Sequence, residues 1–208
     1  MNSMNGHQTL RDVYELIAEL WCSPPEEDSE REELRKEAEK VIKRLESIDE
    51  ESAMLLSRFL GENDISEEDY IDLFELDPRC ALYLGSHSFD EPTTCATAAV
   101  SDRNEYMISL GGIYNHFGRK TNGKELPDYL PLMVNFLSLT SEPENDPVRD
   151  KFVEEYVLPF LPPMRMRLKE LETPYLHLLD ALEKVINVEQ KTEHLSKQRE
   201  QKVETHVG

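Results

Sequence analysis

Apolar residues recur at spacings of three and four along most of the chain, the pattern of helices that bury one face. Leu10, Val13, Ile17, Leu20 and Trp21 form the first stripe, behind Thr9 and Asp12, which have the spacing of a capping box. Pro24 and Pro25 stop it. Ser29 and Glu32 repeat the capping spacing before a highly charged helix with a narrow stripe of Leu34, Ala38, Val41 and Leu45. A short third helix is predicted over about 51–60, terminated by Gly61. Ser66 and Asp69 cap the next, which carries Tyr70, Ile71 and Phe74.

The pattern weakens between 77 and 97. Leu82, Tyr83 and Leu84 suit either a helix or an extended segment, and Phe89-Asp90-Glu91-Pro92 reads as a loop. Ser101 then caps a helix bearing Met107, Ile108, Leu110, Tyr114 and Phe117, closed by Gly118. A polar loop over 119–124 carries the turn signal Asn122-Gly123. Leu132, Val134, Phe136, Leu137 and Leu139 mark a buried helix, and a break follows over 142–145. Asp146 caps and Pro147 takes the first helical position ahead of Phe152, Val153, Tyr156 and Val157. Thr173-Pro174 opens the last helix, with Leu176, Leu179, Leu182, Val185 and Ile186 on its inner side. No region alternates with period two. The expectation is an all-α, single-domain bundle of about eight or nine helices over 1–188. From Glu189 apolar residues nearly vanish, so 189–208 is expected to be a frayed or disordered polar tail.

Charge narrows the function. Among 208 residues, 43 Asp and Glu face 23 Lys and Arg, a formal net charge of -20. Such a chain is repelled by phosphate backbones and anionic membranes, so nucleic acid is not an expected partner and basic segments are. No apolar run reaches the length of a membrane span, so no stable membrane insertion is expected. The start shows no basic region followed by an apolar one, and a cytoplasmic location is expected. Cys22, Cys80 and Cys95 form no CxxC pair or disulfide framework.

Catalytic motifs are missing. Gly111-Gly112 lies in a helical pattern, and there is no phosphate-binding glycine loop, no Gly-x-Ser-x-Gly and no HExxH. His87, Cys95, Asp90 and Glu91 have metal-ligating chemistry, but their spacing matches no closed site, and loop residues with ordinary partners are the default. Glu125 and Asp128 would share a face if helical, although Pro127 and Pro131 favour a stiff turn. Their open roles are helix capping or a salt bridge, an acid–base pair, and peptide recognition. Asp128 in particular could cap the helix that begins near Leu130 or accept a hydrogen bond from a partner. No enzyme activity, metal or organic cofactor is expected.

The run Tyr114-Asn115-His116-Phe117-Gly118, then Glu125-Leu126-Pro127-Asp128-Tyr129-Leu130-Pro131-Leu132 and Phe136-Leu137, resembles the cytoplasmic redox-enzyme maturation chaperones. The resemblance is strongest to their nitrate reductase delta-subunit branch, related to the assembly chaperones of trimethylamine N-oxide and dimethyl sulfoxide reductases. It covers roughly 10–186 and includes Tyr70-Ile71-Asp72-Leu73-Phe74 and Cys80-Ala81-Leu82-Tyr83-Leu84. It implies an all-α protein that binds the N-terminal region of a molybdopterin-containing catalytic subunit, often a twin-arginine signal peptide, and holds it for cofactor insertion. The implied client is of the dimethyl sulfoxide reductase type. The family's Glu-x-Pro-x-Asp/His-like signature falls on Glu125, Pro127, Asp128 and Tyr129, with Tyr129 where a histidine is frequent. The Arg-Gly pair usual in the delta-subunit branch is absent, and Phe89 to Thr94 stands in its place. Tyr114, Tyr83 and Leu130 complete the expected client-binding set.

The residues suit that role by themselves. Carboxylates pair with guanidinium groups through bidentate hydrogen bonds, and a helix-lined groove accepts an apolar segment. Met107, Met133, Met164 and Met166 are candidates for adaptable contacts. The alternatives are a structural or regulatory helical subunit of a redox complex and, behind it, an enzyme with a carboxylate or His/Cys site. The chain could act as a monomer or a dimer.

Overall fold

The computed structural model describes residues 3–89, 101–121, 123–141 and 146–204, with side chains over 6–192. The described residues form an all-α bundle. Its helices are α1 (Ser3–Leu20), α2 (Asp28–Leu45), α3 (Glu50–Glu62), α4 (Glu67–Phe74), α5 (Asp102–His116), α6 (Leu130–Thr140), α7 (Pro147–Lys151), α8 (Leu161–Glu170) and α9 (Tyr175–Glu204). A 3-10 turn, Leu84–His87, lies between α4 and α5.

Several boundaries follow from local chemistry. Ser66 and Asp69 form the reciprocal capping box at the start of α4. Ser101 caps α5 through the Asn104 N–H, and Asp146 caps α7 through the Val148 N–H with Pro147 behind it. Gly118 follows α5 in the left-handed region at φ 66, which glycine adopts without Cβ strain. Two expected starts are displaced. Thr9 lies inside α1, which begins at Ser3, and Ser29 lies inside α2, whose cap position is Glu27. Polar residues precede both stripes and continue the helix outward, so the first apolar residue does not mark the first turn. α3 likewise runs through Gly61 to Glu62. The expected breaks over 142–145 and 90–92, and Asn122 of the turn signal, lie outside the described residues.

α7 continues into a π-helical turn, Phe152–Val157, and a 3-10 turn, Leu158–Phe160, before α8. Pro159, Pro162 and Pro163 account for this irregularity, because none can donate to the helical ladder. The Tyr106 hydroxyl donates to the Tyr156 carbonyl in the irregular stretch, at 2.9 Å.

α1 packs on α6, α2 and α9, while α9 also covers α3 and α8. Trp21, Phe59, Tyr70, Phe74 and Tyr175 form one aromatic cluster at the α1–α4–α9 junction, with Trp21 and Tyr175 centroids 5.2 Å apart. Phe136, Phe152, Tyr114 and Phe117 form a second against α6. Met133 and Met164 are fully buried core residues, which removes them from the candidate surface contacts. Met107 is half-buried and Met166 exposed.

A charged network runs through this core. Arg149 donates to Glu189 at 2.8 Å, and Glu189 also accepts from the Tyr14 and Ser141 hydroxyls, each at 2.8 Å. Arg149 further donates to the Thr140 hydroxyl at 3.2 Å. Burial first, then Glu189, pushes the Tyr14 phenol well above its usual range. Glu189, the first residue of the expected polar tail, is thus a buried side chain, and α9 continues beyond it to Glu204.

Candidate functional site at the Tyr83–Tyr129 junction

The segment before α6 lies alongside the segment after α4. The Leu130 N–H donates to the Leu82 carbonyl at 2.8 Å, and the Leu84 N–H donates to the Asp128 carbonyl at 3.1 Å. These bonds make an isolated antiparallel bridge between Tyr83 and Tyr129. The Glu125–Asp128 stretch is a turn rather than a helix, so the two carboxylates do not share a helical face. From α5, the Tyr114 hydroxyl donates to the Pro127 carbonyl at 2.7 Å. The Tyr83 hydroxyl donates to Glu125 Oε2 at 2.6 Å, and the Tyr83 and Tyr129 ring centroids lie 5.5 Å apart. The fold therefore brings together Tyr83, Tyr114, Glu125, Pro127, Asp128, Tyr129 and Leu130.

Burial divides this set. Tyr114, Asp128 and Leu130 are buried, whereas Tyr83, Glu125, Pro127 and Tyr129 are half-buried beside the exposed Leu126. The second group forms a surface of two aromatic rings around a carboxylate. Burial raises the Tyr83 phenol, with the bond to Glu125 adding to it, and pushes Tyr129 up to about 12. Both hydroxyls stay protonated at neutral pH and can donate.

Asp128 does not cap α6. The cap position is Tyr129, which makes no side-chain capping bond, and Asp128 Oδ2 instead accepts from the Gly85 N–H at 3.0 Å. That bond ties the 3-10 turn to the α6 entrance and holds the two tyrosines in register. Asp128 Oδ1 is buried and has no hydrogen-bond partner. Gly85 is the residue that sequence inspection passes over. A Cβ there would stand 2.8 Å from Asp128 Oδ2, so only glycine permits the approach. Its one sequence signal is the Leu-Gly-Ser step inside the ambiguous 82–86 stretch.

Burial raises the Asp128 carboxyl above its usual range, opposed by the Gly85 N–H and by the Arg103 guanidinium. The folded chain therefore holds this proton more tightly than the unfolded chain. The contribution to stability is fully present below the ordinary Asp value of about 3.9 and is lost as pH rises through the higher folded value. Asp128→Asn removes the charge but keeps an acceptor for Gly85. Urea unfolding across pH 4–7 is expected to show a variant at least as stable as the parent at neutral pH, with the parent gaining relative stability toward pH 4. A variant clearly less stable at pH 7 would show that the ionised carboxylate is required.

Among the described residues no group of three His, Cys, Asp or Glu side chains could hold a metal ion. His87 is occupied by the Ala81 carbonyl at 2.7 Å, and Asp90, Glu91 and Cys95 of that candidate cluster lie outside the described residues. Cys22 and Cys80 are free thiols, the first exposed and the second buried. No helix is long and apolar enough among the described residues to cross a membrane.

No protein-family model matches the chain. Among curated proteins it is similar to the "Probable nitrate reductase molybdenum cofactor assembly chaperone NarW" of Escherichia coli K12. They are 36% identical over 81 residues, which is 39% of this chain and 33% of the relative. It is also similar to the nitrate reductase molybdenum cofactor assembly chaperone NarJ of Escherichia coli K12, 28% identical over 123 residues, 59% of this chain and 46% of the relative. NarJ of Escherichia coli O157:H7 matches to the same extent. The chain thus spans less than half the length of these relatives, to which it is linked by distant and partial similarity.

Proposed function

We propose that this chain is a cytoplasmic assembly chaperone for a molybdenum oxidoreductase of the dimethyl sulfoxide reductase type. It captures the N-terminal segment of the catalytic subunit, with or without a twin-arginine motif, and holds that subunit for cofactor insertion. The similarity to NarJ and NarW supports the chaperone class. The observation that carries the recognition chemistry is the half-buried Tyr83–Glu125–Tyr129 unit on a cross-bonded backbone.

Glu125 uses one carboxylate oxygen for the Tyr83 hydroxyl, while the other has no described hydrogen bond. An arginine of the client donates to that carboxylate, with its guanidinium plane against a tyrosine ring. The exposed Leu126 receives apolar side chains next to it. Because backbone bonds hold both tyrosines before the client arrives, little side-chain freedom is lost on binding. Asp128 is a positioning residue here, acting through Gly85. No covalent step is involved, and release follows when the filled client folds its N-terminal segment elsewhere.

Isothermal titration with a synthetic peptide of the client's N-terminus tests this. Glu125→Gln is expected to bind at least tenfold more weakly, or about 1.4 kcal/mol, with an unchanged melting temperature. Parental affinity should fall but persist between about 50 mM and 500 mM salt, because steering by the net charge of -20 is screened whereas apolar burial is not. Full affinity in E125Q, or salt-independent binding, would move recognition away from this carboxylate.

A further inference from the structure

A second feature shares no residue with the tyrosine junction. A cleft of about 550 Å³ opens where the C-terminal ends of α1 and α3 meet the start of α2. That is within the usual range for sites that enclose a small ligand or a few side chains. Leu20, Leu34, Leu60, Ile65 and Tyr175 give it an apolar lining.

Three observations specify the charge of its occupant. Glu19, Asp28 and Asp64 line the cleft as exposed carboxylates with no described ion pair. With Glu32, four carboxylates line the cleft against two arginines, and those two have other partners, Arg31 donating to the Pro25 carbonyl at 2.6 Å and Arg35 facing Glu39 at 3.7 Å. Neither α1 nor α3 has a basic residue in its last turn, so the partial negative charge at both carbonyl ends is left unbalanced by the helix itself. An apolar cavity with an acidic rim fits a cation carried on an apolar body.

We infer that this cleft is a second peptide-docking site, which takes a segment whose apolar side chain neighbours an arginine. The inference rests on the chaperone reading above and extends it. The apolar side chain enters between Leu34 and Leu60, and the guanidinium meets Glu19 and Asp64.

The chain has a single tryptophan, and it reports on this place. Trp21 follows Leu20 and packs on Tyr175, both of which line the cleft. The probe is the peptide acetyl-Leu-Leu-Arg-Leu-amide, titrated against the whole chain beside a counterpart with Gln in place of Arg. A saturable change in Trp21 emission is expected, at least fivefold tighter for the arginine peptide. In Glu19→Gln/Asp64→Asn, changed only at exposed carboxylates, that preference should shrink below twofold with an unchanged melting temperature. E125Q should leave the Trp21 titration unaltered. Absence of a saturable change, equal affinity for the two peptides, or an undiminished preference in E19Q/D64N would overturn the inference. A positive Trp21 titration alongside client binding that ignores E125Q would keep the cleft and remove the tyrosine junction, so the two readings fail separately.

Discussion

Replacing Glu189 with alanine is expected to destabilise the protein by about 3–5 kcal/mol, the usual effect of removing one partner from a buried ion pair. The carboxylate accepts from Arg149, Tyr14 and Ser141, and both charged side chains are nearly inaccessible, at 5% for Arg149 and 2% for Glu189. Alanine takes one carboxylate from the buried guanidinium and the acceptor from two hydroxyls. The damage spreads because the network joins α1, the end of α6, α7 and α9. An Arg149→Met/Glu189→Leu double variant removes both charges together and is expected to lose less than E189A alone. A chain shortened to residue 188 lacks the same carboxylate and should unfold at a urea concentration no higher than E189A does. Urea unfolding of the three proteins at pH 7 checks this. A loss below about 1 kcal/mol in E189A would mean that the core accommodates the arginine without this partner.

Gly85→Ala is the second change with a large expected effect. The new methyl would lie 2.8 Å from Asp128 Oδ2 and 3.3 Å from the Phe89 ring. The carboxylate cannot retreat without lengthening its bond to the Gly85 N–H, and Tyr106 closes the site from α5. Overpacking of this kind costs about 1–3 kcal/mol. The clash is specific to Asp128, so G85A should be milder when introduced into D128A than into the parent, a coupling that a double-mutant cycle measures directly. Client affinity should fall in G85A as well, because the Leu84–Asp128 and Leu130–Leu82 bonds that align Tyr83 with Tyr129 are disturbed. Full stability in G85A would show that the Asp128 carboxyl moves freely, contrary to its role as a clamp.

These two sites also mark where sequence inspection reaches its limit. The all-α class was legible because the buried faces recur at helical spacing and because Ser66, Ser101 and Asp146 cap as their side chains predict. The candidate site was legible as a set of residues. Prolines stiffen 125–131, and the resemblance ties that run to Tyr83 and Tyr114, which the fold places beside it. The roles within the set were not legible. Asp128 follows a proline and precedes a helix, so it looks like a cap, and its burial depends on a backbone bridge to residues 82–84 that has no periodicity to announce it. Glu189 stands in a polar run, where a carboxylate is ordinarily solvated, and Arg149, Tyr14 and Ser141 from distant parts of the chain make it a core residue. The cleft was invisible for a related reason, since it is formed by the ends of three helices rather than by the face of one.

The central claim is transient capture of an unfilled molybdoenzyme subunit. It is tested most directly by purifying the tagged chain from two cultures of its own host, one blocked in molybdenum cofactor synthesis and one replete, and quantifying the catalytic subunit that comes with it. The account predicts retention of the cofactor-free subunit in the blocked culture and its loss in the replete one, with retention reduced in E125Q. Equal, stable association with the mature, cofactor-filled enzyme would contradict it and identify the chain as a structural or regulatory subunit.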